Sequence, residues 1–221
     1  MNRRTIVLAI GVMTILSFAT AVVRYKTEGE APQAAPVAAQ AQAASALVRF
    51  DSPTLGPINA PVTIVEFFDP SCESCRAFFP YLKQIMAKYP NDVRIVVRYA
   101  LLHKGSEEAV RLLESARLQG IYAPVLEAVL NAQPQWHDDP KALMAWEAAQ
   151  AVGLDVEKAR ETMNSPRIEQ ILGRDAEDAK TLGIQGTPAF FVNGKPLNQF
   201  GPKPLLELVQ SEVEKARKQA R

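Results

Sequence analysis

The chain has 221 residues, 48% of them hydrophobic and 7% aromatic, an ordinary globular composition with enough apolar side chain for one core. Its formal charge is +1, but Arg3, Arg4, Arg24 and Lys26 are the only charges in the first 26 residues, which leaves 21 bases against 24 acids beyond them. No basic stripe interleaved with aromatics is present in that remainder, so a nucleic-acid partner is set aside.

Arg3 and Arg4 precede an uncharged run of 19 residues from Thr5 to Val23. As a helix such a run covers roughly 28 Å, close to the apolar thickness of a bilayer. Residues 1–26 are therefore expected to form a signal peptide or an N-terminal membrane anchor. Ala19-Thr20-Ala21 resembles a small-x-small cleavage site, whereas the length of the run and the following Arg24 and Lys26 suit an uncleaved anchor. Either way the positive flank stays in the cytoplasm, and the remainder crosses into the periplasm or an equivalent space where disulfides persist. Residues 27–46 hold nine Ala, three Gln and two Pro, with Val37 the one branched aliphatic residue. This composition predicts a tether with nothing to bury.

The folded unit is expected over 47–221. Val62-Thr-Ile-Val-Glu-Phe-Phe68, bounded by Pro61 and by Asp69-Pro70, reads as a strand ending in a turn. A helix follows at once, with Ser71 expected to cap it, an apolar face from Phe78 to Met86, and a kink at Pro80. Val93 to Tyr99 is a second strand. From about 105 to 182 the pattern is helical, and Asp139-Pro140 and Ser165-Pro166 look like N-cap and first-turn pairs. Ala189–Val192 and Lys195–Leu197 return to strand, joined by Asn193-Gly194, a strong hairpin signal. A last helix runs from about Pro202 to Lys218. The order strand, helix, strand, helical block, hairpin, helix implies an α/β fold: a central mixed sheet flanked by helices, with a large helical insertion.

Cys72 and Cys75 are the only cysteines. A pair three apart closes too small a ring to remove much chain entropy, so it suits exchange better than stapling. At a helix N-terminus Cys72 meets unpaired backbone N–H groups and the positive end of the dipole, which lower its pKa, while Cys75 sits one turn inside. Cys72 is therefore expected to attack and Cys75 to resolve. Zinc wants four ligands, and His103 and His137 fit no standard spacing with the pair; copper(I), for which two thiolates suffice, stays open as an alternative. Glu66 lies within the first strand, six residues before Cys72. Buried there, its carboxyl should be raised in pKa and able to exchange a proton with Cys75; on an edge strand it would merely reach solvent.

Cys72-Glu-Ser-Cys75, Glu66, Thr187-Pro188 and Asn193-Gly194 together resemble the thioredoxin superfamily, and the helical insertion resembles its DsbA-like branch. The resemblance covers about residues 55 to 217. It implies that Thr187 and a cis Pro188 lie against the cysteine pair, where the Thr187 backbone would bind an extended substrate as an added strand. It also implies exported polypeptides as substrates, a membrane redox partner that resets the pair, no cofactor, and a monomer, since the tether is a poor dimerisation module. Glu73 and Ser74 match neither the Pro-His pair of strongly oxidising DsbA enzymes nor the Gly-Pro pair of thioredoxin. The direction of transfer therefore stays open. The charge of Glu73 and the missing histidine predict a higher Cys72 pKa and a weaker oxidant than those DsbA enzymes.

Other residues read more plainly. His103 is expected on a surface loop, Trp136 and Trp146 in packing, and Arg76 either offsetting Glu73 or solvated. Ser106 and Ser115 show no His and Asp constellation in a recognisable order.

Overall fold

The computed structural model of the protein describes residues 45–220. The expected signal or anchor, residues 1–26, and the tether as far as residue 44 lie outside the described residues. Among the described residues no helix is long and apolar enough to cross a membrane.

A short strand, β1 (Thr54–Leu55), precedes β2 (Val62–Phe68), and α1 (Glu73–Lys88) leads from there to β3 (Val93–Tyr99). The helical block follows as α2 (Ser106–Leu118), α3 (Tyr122–Ala132), a 3-10 turn (Gln133–Gln135), α4 (Leu143–Ala151), α5 (Val156–Thr162) and α6 (Pro166–Thr181). The chain closes with β4 (Ala189–Val192), β5 (Lys195–Pro196) and α7 (Pro202–Gln219). The sheet order is β1-β3-β2-β4-β5, with β2 and β3 parallel and every other pair antiparallel.

β2 and β3 are buried on both faces, which is why they read as nearly unbroken apolar runs rather than as alternating ones. Val62, Ile64 and Phe68, with Val93, Ile95, Val97 and Tyr99, face the main core. Into that core α1 inserts Cys75, Phe78, Leu82 and Ile85, spaced for one helical face, and α7 inserts Leu205, Val209 and Val213. Each of those side chains contributes roughly 1.5–3 kcal/mol on burial. The opposite sheet face carries Val65, Phe67 and Val96 and is covered by Leu47 and by Ala179 of α6.

The local chemistry departs from the pattern in several places. Ser71 does not cap α1: its hydroxyl has no partner, and the N-cap position is Cys72, with no side-chain cap. Two residues upstream, Asp69 takes the Ser71 N–H at 2.9 Å and fixes Ser71 in the turn ahead of the helix. Pro80 lies inside a helix that runs on to Lys88 without interruption. Ser165-Pro166 opens α6 as N-cap and first residue. Asp139-Pro140 instead forms a turn whose carboxylate accepts from Lys141 N and Leu143 N, and α4 starts only at Leu143, after Ala142 at φ 45°. Asn193 and Gly194, at φ 47° and 80°, make the tight hairpin with both central residues left-handed. The strand after it stops at Pro196, one residue short of Leu197.

On the face away from α1 sits a buried ion cluster. Arg98 of β3, fully buried, donates to Asp175 at 2.8 Å and Asp178 at 2.5 Å and also to the carbonyls of Ala46 and Leu47. Arg49 adds a second pair of bonds to Asp178. Burial alone would raise the Asp178 carboxyl, but hydrogen bonds from Arg49 and Arg98 outweigh it and hold the group below the usual carboxylate range. Its contribution to stability is therefore complete above the ordinary carboxylate pKa and is lost as pH falls through the depressed value. Removing Arg98 takes the nearest cation from buried Asp175 and leaves Asp178 with Arg49 alone, so Arg98→Met should cost about 3–5 kcal/mol in urea denaturation at neutral pH. The deficit should narrow in acid, where Asp178 is protonated in both proteins.

Candidate active site

β2 ends at Phe68, and the four residues Asp69 to Cys72 turn the chain into α1. The turn is built on Asp69, whose carboxylate is wholly buried. Oδ1 accepts from Ser71 N and, at 2.5 Å, from Ser106 Oγ; Oδ2 accepts from Leu102 N at 2.7 Å and lies 2.8 Å from His103 Nδ1. Its own N–H points to Cys75 Sγ at 3.5 Å. One residue thus ties the end of β2, the segment after β3, the start of α2 and the second cysteine together. Gly105 lets these pieces approach: a Cβ there would lie 2.7 Å from Asp139 O and 3.3 Å from Ser71 Oγ.

A second clamp comes from the helical block. Gln133, fully buried, donates from Nε2 to Pro70 O and Cys72 O, both at 2.8 Å, and accepts at Oε1 from Arg76 Nε at 2.9 Å. Arg76 is therefore neither paired with Glu73 nor simply solvated.

The two cysteines are free thiols in different surroundings. Cys72 is 7% exposed and Cys75 is 0%. Because no side chain caps α1, the first-turn N–H groups are left to the sulfur. The Cys72 thiol is lowered to about 5, first by the Cys75 thiol, with burial opposing, and then by the Thr187 side chain and the N–H groups of Cys75 and Ser74. Cys75 is pushed far up, by burial first and then by its bond to Cys72 and the charge of Glu66. One thiol is thus poised as an anion and the other held as its proton donor.

Glu66 sits mid-strand in β2, opposite Val97 of β3 on one side and Phe190 of β4 on the other. It is not on an edge strand. It is 4% exposed, its Oε1 has no hydrogen-bond partner, and burial, seconded by the charge of Cys72, raises its carboxyl to about 8. The loop before β4 closes the site from the other side. The Cys72 thiol donates to Thr187 O at 3.2 Å, and the Thr187–Pro188 bond is cis. Thr187 Oγ1 is buried without a fixed partner, so its O–H can turn to a sulfur anion. The structure therefore assembles Cys72, Cys75, Glu66, Thr187 and Pro188 in one place.

Asp69 and Gln133 join that group without a sequence signal for it, and so does His103. His103, expected on an ordinary surface loop, is half exposed but anchored on Asp69. Ser106, Asp69 and His103 do meet, yet not as a hydrolytic triad: Ser106 bonds the carboxylate rather than the imidazole's far nitrogen, and it is fully buried. Trp136 and Trp146 are buried packing residues whose indole N–H groups are satisfied by Val129 O and Glu108.

A family model described as Thioredoxin matches residues 50–211. Among solved structures, a thioredoxin-like oxidoreductase from Silicibacter pomeroyi superposes with a TM-score of 0.67 at 30% identity, over 77% of this chain and 94% of that one. BdbD from Bacillus subtilis gives 0.65 at 25% identity, over 74% and 93%. Among curated proteins, the Na(+)/H(+) antiporter NhaA of Herminiimonas arsenicoxydans is 33% identical over 142 residues, 64% of this chain but 22% of the antiporter. The chain spans about a fifth of the length of the curated relatives it matches.

Two outcomes test this geometry. The raised Glu66 means that the native protein holds a proton that the unfolded chain releases above its ordinary carboxyl pKa. Glu66's own contribution to stability should therefore decline as pH rises from about 4.5 to about 8, against the opposite contribution of Cys72, which is lowered to about 5. Glu66→Gln should flatten that decline and be the more stable protein at pH 9 by several kcal/mol, read from denaturation midpoints across pH. Gln133→Leu, of similar size, leaves the buried Pro70 carbonyl and the Arg76 Nε unpartnered and takes one of its two donors from the Cys72 carbonyl. It should lose about 2–3 kcal/mol of stability and raise the Cys72 titration midpoint measured by thiolate absorbance.

Proposed function

The chain belongs to the thioredoxin family, in its DsbA-like branch of thiol–disulfide oxidoreductases, and from that premise we propose that it exchanges disulfides with exported polypeptides through Cys72 and Cys75. The observation that carries this reading is the split between the two sulfurs, one drawn down to about 5 and the other held protonated beside a buried carboxyl.

The Cys72 thiolate attacks one sulfur of a substrate disulfide. A Cys72–substrate bond forms, the substrate S–S bond breaks, and the leaving sulfur departs as a thiolate that takes up a proton. Glu66, reformed as a carboxylate by proton loss at working pH, accepts the proton of Cys75. Cys75 then attacks Cys72 Sγ, releasing the second substrate sulfur and leaving a Cys72–Cys75 disulfide. Two electrons pass to the substrate. The reverse sequence oxidises a substrate dithiol and leaves the pair reduced. The same residues serve both directions, and the potential of the pair relative to its partner sets the net flow. Thr187 and cis Pro188 border the attacking sulfur, and in this reading the Thr187 backbone holds an extended peptide as an added strand.

The reading extends to place and partners. The expected export segment places the domain outside the cytoplasm, anchored if residues 1–26 are retained, and a membrane redox protein resets the pair. A copper(I) carrier would use the same two sulfurs, and tight binding of one ion per pair with sluggish exchange would favour it.

Cys75→Ser should accumulate a mixed disulfide between Cys72 and substrate, seen as a stable adduct by mass spectrometry, and Cys72→Ser should form none. Glu66→Gln should slow release of the adduct by roughly ten- to a hundredfold while leaving its formation nearly unchanged. A Cys72 value of about 5 stands above the roughly 3.5 of DsbA, so the potential of the pair, measured against glutathione, should be more reducing than about −120 mV. An adduct that forms and resolves at the same rates in all three variants would refute the assignment.

A further inference from the structure

His103 is the one histidine bonded to the turn that carries the cysteines. Its Nδ1 lies 2.8 Å from Asp69 Oδ2, its backbone N–H donates to Ser106 Oγ at 3.2 Å, and its side chain is 45% exposed against 0% for Asp69. Asp69 in turn donates its N–H to Cys75 Sγ and binds Ser71 N, which immediately precedes Cys72. The ring is therefore fixed to the cysteine turn through a single rigid residue, and its orientation follows that of the turn.

The charged groups that act on it are Asp69 and Cys72, from the turn before α1, and Asp138, from the stretch after the 3-10 turn. All three favour the protonated ring. The bond to Asp69 does most, burial opposes it, and the net direction is upward from the ordinary histidine value. The attraction between the ring and the Cys72 thiolate is mutual, because a coupling between two charges shifts both partners by the same free energy. Glu73 and Ser74, between the cysteines, bring no positive charge to Cys72.

We propose that His103, held on Asp69, is a positioning residue for thiol–disulfide exchange, bringing to the turn that carries Cys72 the positive charge that the residues between the cysteines lack. This rests on Cys72 being the attacking thiolate. When Cys72 enters a disulfide its negative charge disappears, and His103 loses one of the three anions that stabilise its proton. The ring thus senses the redox state of the pair, and the pair senses the charge of the ring.

The chain has two histidines, so both can be followed in the full-length protein by proton and carbon NMR, with His137→Gln to assign them. The His103 midpoint should lie about half a pH unit higher in the reduced protein than in the oxidised one, a modest value because the ring is partly solvent-screened. The His137 midpoint should be the same in both. In His103→Gln, the thiolate absorbance of Cys72 should titrate about half a unit higher, and adduct formation at pH 5 should slow about two- to threefold. Equal His103 midpoints in the two redox states would overturn the proposal, as would a His103→Gln protein whose melting temperature falls while its thiolate titration stays put. Those results leave the exchange reading intact. A wild-type Cys72 that titrates like an ordinary thiol removes the exchange reading itself.

Discussion

The Asp69 carboxylate has no access to water and is shared among four donors, two of them backbone N–H groups, and the placement of both cysteines follows from that sharing. It takes Ser71 N and holds that residue in the turn, and the helix begins at Glu73 with Cys72 as its N-cap. Because nothing else caps α1, the first-turn N–H groups are directed at Cys72 Sγ. Because the Asp69 N–H reaches Cys75, the second sulfur is drawn into the core. A buried carboxylate with fewer donors would carry several kcal/mol of uncompensated desolvation. The close approach of β2, the start of α2 and the segment after β3 is thus a requirement of electrostatics as much as of packing.

The helical block has a comparable part in the chemistry. Gln133 satisfies the carbonyl of Pro70, which lies ahead of the ladder of α1, and gives a second donor to the carbonyl of Cys72, which already accepts from Arg76 N at 3.2 Å. The turn is therefore held from both sides, by Asp69 from within and by the insertion from above. Such double fixing keeps the N–H groups of the first turn aimed at one point, which an electrostatic effect confined to the first turn of a helix demands.

Much of this was legible in the residues. The central strands could be read because both faces of each are buried, so that Val62–Phe68 and Val93–Tyr99 stand out as β-branched and aromatic runs. Asn193-Gly194 and Ser165-Pro166 could be read because a left-handed turn and a helix start each demand particular residues. What escaped was chiefly what depends on partners distant in sequence. Thr54-Leu55 is two residues long and is a strand only because β3 is there to pair with it. Asp139-Pro140 has the composition of a helix start, yet its carboxylate closes a turn. His103 and Asp69 are 34 positions apart, and nothing in either neighbourhood announces the other. Gln133 is a polar residue in a helical stretch, unremarkable until the cysteine turn is folded against it. Glu66 was legible for the opposite reason, since one carboxyl within an apolar strand stands out as soon as that strand is recognised.

Arg98 holds the carbonyls of Ala46 and Leu47 on the sheet face opposite α1. Tension arriving along the chain from the direction of residue 45 is therefore delivered first to a guanidinium anchored in β3, a central strand, and to the two carboxylates of α6 that grip it. The cysteine turn lies on the other face, outside that line of force. A domain tugged at this end would yield by tearing an ion cluster out of its sheet, while the sulfurs, the carboxyl beside them and the imidazole on Asp69 keep their relative positions until it does.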